Sequence, residues 1–573
     1  MQKIKKLPRE LVGIICNFLD PKSAIAFAKT NKQCMNDMQS RDFGYKVSKF
    51  VNINCVNLNS PFIIGHFNSF AVYKDDSFAL LPLETKRVIV RHSIWGRSFR
   101  LSKSSDLIRL NQMTHLTLDS SNIILCPHEL KFPNSLTHLI FSRNFLSSID
   151  NLELPMTLTH LIGVDFELSI DKLKLPSTLC HLEFGHRFSQ LIPNTLFSGL
   201  DSLTHLNLGY NFNQSVENLQ LPKSLTYLFF GCNFNKSIDA LKLPSSLTHL
   251  TFGSNFNQSI DKIELPSSLC YLKFGFCFNQ PIGKTKLSKL QSLTHLEFGS
   301  HFNQAVDHLV LPPFLVHLSF GDTFNQPIDH LILPPYLKYF ELGYHFAQSL
   351  EHLFLPQSLT HFMFRSFFDQ PIDNLIIPES LTYLKFGINF NHPVYKLKLP
   401  TQGSLTHLIF GTCFNKCVDN LHLPRSLKCL KFGGLFNQRV DHLKLNHLNS
   451  LSELSFGPLF NHSLNNVRLP KFLTHLSILN LDYNHCCDKL KLPLSLTHLA
   501  VGPIFVETQK ELKSKHSKLW RRLKIGYKYL TVPHPMLSTR SHGIPVQNDA
   551  YCMHSSFDKL KLPPFLTHLQ IGH

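Results

Sequence analysis

From about residue 107 onward, apolar and polar positions return on a beat of about 22 residues. Three consecutive copies, beginning at Leu221, read LPKSLTYLFFGCNFNKSIDALK, LPSSLTHLTFGSNFNQSIDKIE and LPSSLCYLKFGFCFNQPIGKTK. Each copy carries two apolar alternations. The first, as in Leu247, Leu250, Phe252 and Gly253, has the spacing of a short strand with one face turned inward. The second, as in Ile238, Asp239, Leu241, Leu243 and Pro244, reads as an extended run that proline closes, because proline has no amide to offer a ladder. A fixed turn lies between them, Phe234-Asn235 in one copy and Phe256-Asn257 in the next. A unit this short cannot bury its apolar face alone, so neighbours must stack into a solenoid.

The residue before the strand leucine, usually the His of THL, marks the register. It falls at His115, His138, His160, His181, His205, Tyr227, His249, Tyr271, His295, His317, Tyr339, His361, Tyr383, His407, Cys429, Glu453, His475 and His498, at spacings of 21 to 24. Four spacings of 24 end at His205, His295, His407 and Glu453, where the LPxSL joint becomes FSGLDSL, LSKLQSL, LPTQGSL and LNHLNSL. All four insertions therefore fall at one corner of the coil, as expected of a surface turn. After Phe505 the pattern breaks, and it resumes at Ser556-Phe557-Asp558. His498 and His568 lie 70 residues apart, and 70 − 22 = 48, so about 19 units are expected, one with a 48-residue insertion within about 506–556. The first part of that insertion reads as a basic helix with Leu512, Leu519, Trp520 and Leu523 on one side. Its stretch 510–528 suits either an acidic partner, such as lipid, RNA or an import factor, or a cover for the open edge of the last strand.

The spacing L-x-x-L-x-[LF]-x-x-N, filled by Leu225, Leu228, Phe230 and Asn233, resembles a leucine-rich repeat. The turn is more particular. FNQSID at Phe256–Asp261 and FNQPID at Phe324–Asp329 resemble the FNIP repeat, a short relative of the leucine-rich repeat known from amoebae and the giant viruses that infect them. The resemblance covers most of residues 107–573 and implies a leucine-rich-repeat-like, β-rich solenoid.

Residues 1–45 stand outside the repeat. Pro8 suits a helix start with Glu10 near its positive end, and Leu11, Ile14, Ile15, Phe18 and Leu19 form an apolar stripe at helical spacing. Asp20-Pro21 breaks this helix before a second one over about 22–29. Leu7-Pro8, Glu10, Ile14-Ile15, Leu19-Asp20-Pro21-Lys22-Ser23 and Thr30-Asn31-Lys32 together resemble an F-box, although Gln33-Cys34 stand where an aromatic commonly follows. That resemblance implies docking of Leu7, Pro8, Ile14, Ile15 and Leu19 on the Skp-type adaptor of a cullin-based SCF ubiquitin ligase, while the repeats hold an unknown protein substrate. A second reading makes residues 1–45 a cap on the first repeat. Residues 46–106 show no clear repeat but are rich in aromatics, and read as a connector packed on the first repeats. The expected fold class is α+β, a small helical head followed by a long solenoid over 107–573.

Composition narrows this picture. The net charge of +18 suits nucleic acid or an acidic membrane, but the lysines are dispersed through DKLKLP-type slots, the pattern of a solvated surface. Fourteen cysteines are scattered, and Cys180, Cys232, Cys270 and Cys429 occupy slots filled elsewhere by Thr, Ser, Asn or His. Such interchange argues against a disulfide framework and fits a reducing, intracellular compartment: the cytoplasm or nucleus, or a host cell for a viral protein. Lys3, Lys5, Lys6 and the apolar 11–19 run imitate a signal peptide, but Glu10 and Asp20-Pro21 bracket it as a cytosolic amphipathic helix. No apolar run is long enough to span a bilayer.

Thirteen of the 19 register positions are His, which stacked strands would place ~4.8 Å apart in a row. Metal binding or pH sensing is one reading. Packing along the ladder is the other, favoured because Tyr, Cys and Glu substitute without a recurring carboxylate beside them. The recurring turn asparagines and aspartates read as structural. With no phosphate-binding loop, nucleophile elbow or HExxH, no enzyme activity, metal or cofactor is expected. The slot two past the register mark varies freely and should face outward. Phe229, Lys273, Glu297, Glu341, Lys385 and Lys431 are the candidate substrate contacts. Their mixed signs suit a protein partner rather than a phosphate backbone.

Overall fold

The computed structural model describes residues 174–365, 367–400, 404–480, 490–501 and 562–571, with shorter stretches between 51 and 170. It divides into two compact units, Met1–Gly275 and Phe276–His573. In the first, strands run from Val51–Asn52 through Ser69–Val72, Arg87–Arg91 and His115–Asp119 to Tyr271–Lys273. In the second they run from His295–Glu297 to His568–Ile571. Neighbouring strands are parallel, because each circuit returns the chain to the same corner in the same direction. The ladder is also in strict register: Leu206 pairs with Leu228, Leu228 with Leu250, and Leu250 with Leu272. A side pair, Phe99–Leu101 with Ile123–Leu125, is parallel too.

The register turns each repeat slot into a column. The strand leucines, such as Leu228 and Leu250, are fully buried. Two phenylalanine columns run beside them. Phe230, Phe252 and Phe274 stack at 5.4 and 5.5 Å, and Phe212, Phe234 and Phe256 at 6.0 Å. Within one circuit Phe252 meets Phe256 at 4.2 Å, joining the two columns into one aromatic spine. The glycine after the strand is sterically required. A Cβ at Gly253 would stand 1.5 Å from the carbonyl oxygen of Gly231, the equivalent residue one repeat back.

The second apolar alternation is not extended. The Leu241 amide donates to the Ile238 carbonyl at 3.0 Å, and the same turn recurs at Leu331 with Ile328. Two of the four lengthened joints form three-residue 3-10 turns, Leu287–Lys289 and Leu445–His447. The array resumes after the insertion as its length predicts: His498 pairs with His568 and Leu499 with Leu569.

The α+β expectation is corrected. Among the described residues the chain is a parallel β-solenoid, and its helical content is confined to short 3-10 turns. Each 22-residue circuit is punctuated by the Gly after the strand, the Asn turn and the Leu-Pro joint, which leave no uninterrupted run for a helix. The head at 1–45, with Leu7, Pro8, Ile14, Ile15 and Leu19, and nearly all of the insertion lie outside the described residues. The stretch read as a connector carries ladder strands of its own. Ser69 pairs with Arg87 and Arg87 with His115, at separations of 18 and 28 residues.

Candidate functional site

The exposed side of the strands is built from two columns, because the buried leucine stands between them. The first is the register column. In it the imidazoles of His115, His138 and His160 stack at 4.0 Å, and those of His160, His181 and His205 at 5.5 and 5.3 Å. In the second unit His475, His498 and His568 stack at 4.1 and 4.2 Å.

The preceding threonine fixes these rings. Thr137 Oγ1 donates to the Thr114 carbonyl at 3.0 Å and also lies 2.8 Å from His138 Nδ1. A hydroxyl has one proton, and here the carbonyl takes it. The Nδ1–H must therefore donate to the hydroxyl, which leaves Nε2 as the bare nitrogen of a neutral ring. The same pair of contacts recurs at Thr159–His160 and Thr406–His407. Burial, then neighbouring imidazoles and Arg87, lowers His115 to about 4. Burial and three other histidines lower His181 to about 4 as well. The column is thus a neutral, packed stack. Among the described residues no group of three or more His, Cys, Asp or Glu could hold a metal ion.

The second column holds the predicted contact residues. Lys273 and Lys385 are exposed, and Phe229, Glu297, Glu341 and Lys431 are half-buried, all beside fully buried leucines or phenylalanines. In the first unit Tyr227, Phe229, His249, Thr251, Tyr271 and Lys273 line an open depression of about 490 Å³ that joins both columns over three repeats.

In the second unit the column is knitted by ion pairs that sequence reasoning missed. Arg365 donates to Glu341 at 2.7 Å and to Asp322 at 2.9 Å, while Ser300 donates to Asp322 at 3.0 Å. Arg365 stands in the slot that neighbouring circuits fill with Gly343 and Gly387, and that break in the pattern was the available signal. Further along, Lys431 meets Glu453 at 2.6 Å, and the Cys429 thiol donates to the same carboxylate at 3.2 Å. Burial, then the bond to Glu453, pushes the thiol up to about 12, so Cys429 is no nucleophile. Glu341 and Lys431 are therefore tied to neighbours, whereas Phe229 and Lys273 face the depression.

No helix among the described residues is long and apolar enough to cross a membrane. The described cysteines form no disulfide with one another.

Comparison with known proteins follows this geometry. CroV588, described as a novel circular leucine-rich-repeat protein structure, is 39% identical over 76% of this chain, with a TM-score of 0.63. The chain spans 65% of that protein's length. YopM from Yersinia enterocolitica is 20% identical over 76% of this chain and 77% of its own, with a TM-score of 0.39. The functional domain of InlJ from Listeria monocytogenes is 14% identical over 57% of this chain and 63% of its own, with a TM-score of 0.31. No curated protein matches. The FNIP Repeat family matches residues 188–233, 234–277, 278–323, 324–366, 368–402, 403–435 and 460–502. Those segments amount to half of the chain, which belongs to the FNIP-repeat family.

Proposed function

We propose that this chain is a protein-recognition subunit, and that it serves as the substrate receptor of an SCF-type ubiquitin ligase. The observation that carries the recognition role is the contrast between columns. The inward Leu and Phe slots barely change, while the outward slot runs through Phe229, Thr251, Lys273, Glu297, Ser319 and Glu341. A rigid frame with a freely varied face suits a protein partner. The ligase part of the reading rests on the F-box-like run from Leu7-Pro8 to Thr30-Asn31-Lys32. In this role the chain supplies no catalytic residue and needs no cofactor. It raises the effective concentration of a bound substrate near the ubiquitin-carrying machinery.

The test is a pull-down from amoebal lysate with the full-length chain, beside a Leu7→Ala/Pro8→Ala/Ile14→Ala variant. The expected result is a Skp-type adaptor and a cullin with the first bait and neither with the second. If both baits are folded and neither recovers the adaptor, the ligase role is wrong and the chain is a ubiquitin-independent scaffold.

A further inference from the structure

At the joint before each Leu-Pro, one residue sits between two buried leucines and must point out. Along the array this slot holds Gln220, Lys242, Glu264, Lys398, His422 and Arg468, all polar and exposed. In four consecutive repeats of the second unit the rule fails. Val310, Ile332, Phe354 and Ile376 fill the slot and are 67, 83, 81 and 70% exposed. The same turn positions each of them. The amides of Leu309, Leu331, Leu353 and Leu375 donate to carbonyls three residues back, at 2.9 to 3.2 Å. Phe314 and Tyr336, four residues past the first two, widen the stripe and are 46 and 56% exposed. A stretch of bare apolar side chains this regular marks an interaction surface.

Charge points to the partner. Residues 302–383 carry eight acidic side chains against two basic ones, Lys338 and Arg365, a balance of −6 inside a chain of +18. Three residues before each stripe member stands an acid: Asp307, Asp329, Glu351 and Asp373. Arg365 is already engaged on the strand side by Glu341 and Asp322, so it does not neutralise this row. Spacing points to the partner's form. The rings of Phe314 and Tyr336 are 5.5 Å apart, one repeat to the next. An α-helix advances ~5.4 Å per turn, whereas same-face residues of an extended strand lie ~6.7 Å apart. A helix laid along the stripe therefore keeps one apolar side chain per repeat in step.

We propose that the stripe Val310–Ile332–Phe354–Ile376 and its acidic row form the docking surface for a basic amphipathic helix of a partner protein. This rests on the protein-recognition reading but not on the ligase part of it.

The test is fluorescence anisotropy with the full-length chain and a labelled helix-forming peptide. The peptide carries one leucine per turn with lysines flanking that line. Two further probes are the same peptide with glutamates for lysines, and a scrambled version of equal charge. The target variant is Ile332→Lys/Phe354→Lys, which places in both slots the residue that Lys242 and Lys398 already supply elsewhere, so folding is retained. The expected result is binding of the Leu/Lys peptide, weakened at least tenfold in the variant, with no binding of the Glu peptide. Equal binding of the scrambled peptide would reduce the surface to general electrostatics, and an unchanged affinity in the variant would place the contact elsewhere; either overturns the proposal. So would a wild-type dimer in sedimentation velocity that the variant converts to monomer, since the occupant would then be a second copy. The Leu7→Ala/Pro8→Ala/Ile14→Ala chain should bind the peptide unchanged, which separates this outcome from any failure of the ligase reading.

Discussion

A single atom type decides the tightest point of each circuit. The carbonyl oxygen of one Gly occupies the place where a Cβ would stand on the next: 1.6 Å for Gly321 against Gly299 and 1.7 Å for Gly433 against Gly411. Gly321→Ala should therefore lower the denaturation midpoint strongly, whereas Gly283→Ala, with open space around its Cβ, should not. Urea titration followed by circular dichroism would distinguish them. The histidine column makes a prediction with a sign. Free imidazoles titrate near ~6.5. Burial and neighbouring rings hold His115 and His181 at about 4 in the fold, so as pH falls the unfolded chain takes up protons first. The stability these rings contribute is complete above the unfolded value and is lost progressively as pH drops toward 4. Denaturation midpoints should fall between pH 7.5 and pH 5. Replacing His181 with Tyr, which Tyr227 shows the slot accepts, should flatten that dependence.

At the scale of the element, the turn asparagines act as side-chain rungs. Asn303 Oδ1 accepts from the Asn325 amide at 2.9 Å and from Gln326 Nε2 at 3.0 Å, and the pattern continues from Asn325 to Ala347 and Gln348. Asp369 fills the same slot and accepts from the Asn391 amide at 2.9 Å. Asn303→Ala leaves a half-buried amide without its acceptor and should cost ~1–3 kcal/mol, while Asn303→Asp should be nearly neutral. Thermal or urea midpoints of the two variants would settle it, and equal losses would mean the rung is not the source of the effect.

These rungs were legible in the sequence as repeated Phe-Asn turns, as were the buried Leu and Phe columns, because a regular register writes each column at a constant spacing. Other elements left no such trace. Ser69–Val72 and Arg87–Arg91 join the ladder at separations of 18 and 28, and a search for a 22-residue beat passes over both. The Ile-Asp-x-Leu run has the apolar alternation of a strand, yet its amide closes a turn, as at Leu241 and Ile238, and side-chain periodicity does not report backbone partners. The candidate contact column was read correctly as outward, but the ion pairs that engage Glu341 and Lys431 arise from side chains in other repeats.

For the whole molecule, contacts run mainly between adjacent circuits, so stability is close to a sum of repeat and interface terms. The interruption after Val501 shows what such a frame allows. The chain leaves the ladder for most of a 70-residue interval and returns with His568 directly on His498, and neither the preceding pair His475–His498 nor the register shifts. In a sandwich or a barrel an excursion of that size lies between strands that must find each other across the fold. Here the returning strand has one possible neighbour, the circuit just completed. The solenoid is in that sense a rack with interchangeable trays: a passenger domain grafted between two rungs, a circuit duplicated or a circuit removed would leave every remaining column aligned. A lineage built on this frame is free to change the length of its binding face and the cargo on its corners without redesigning its core.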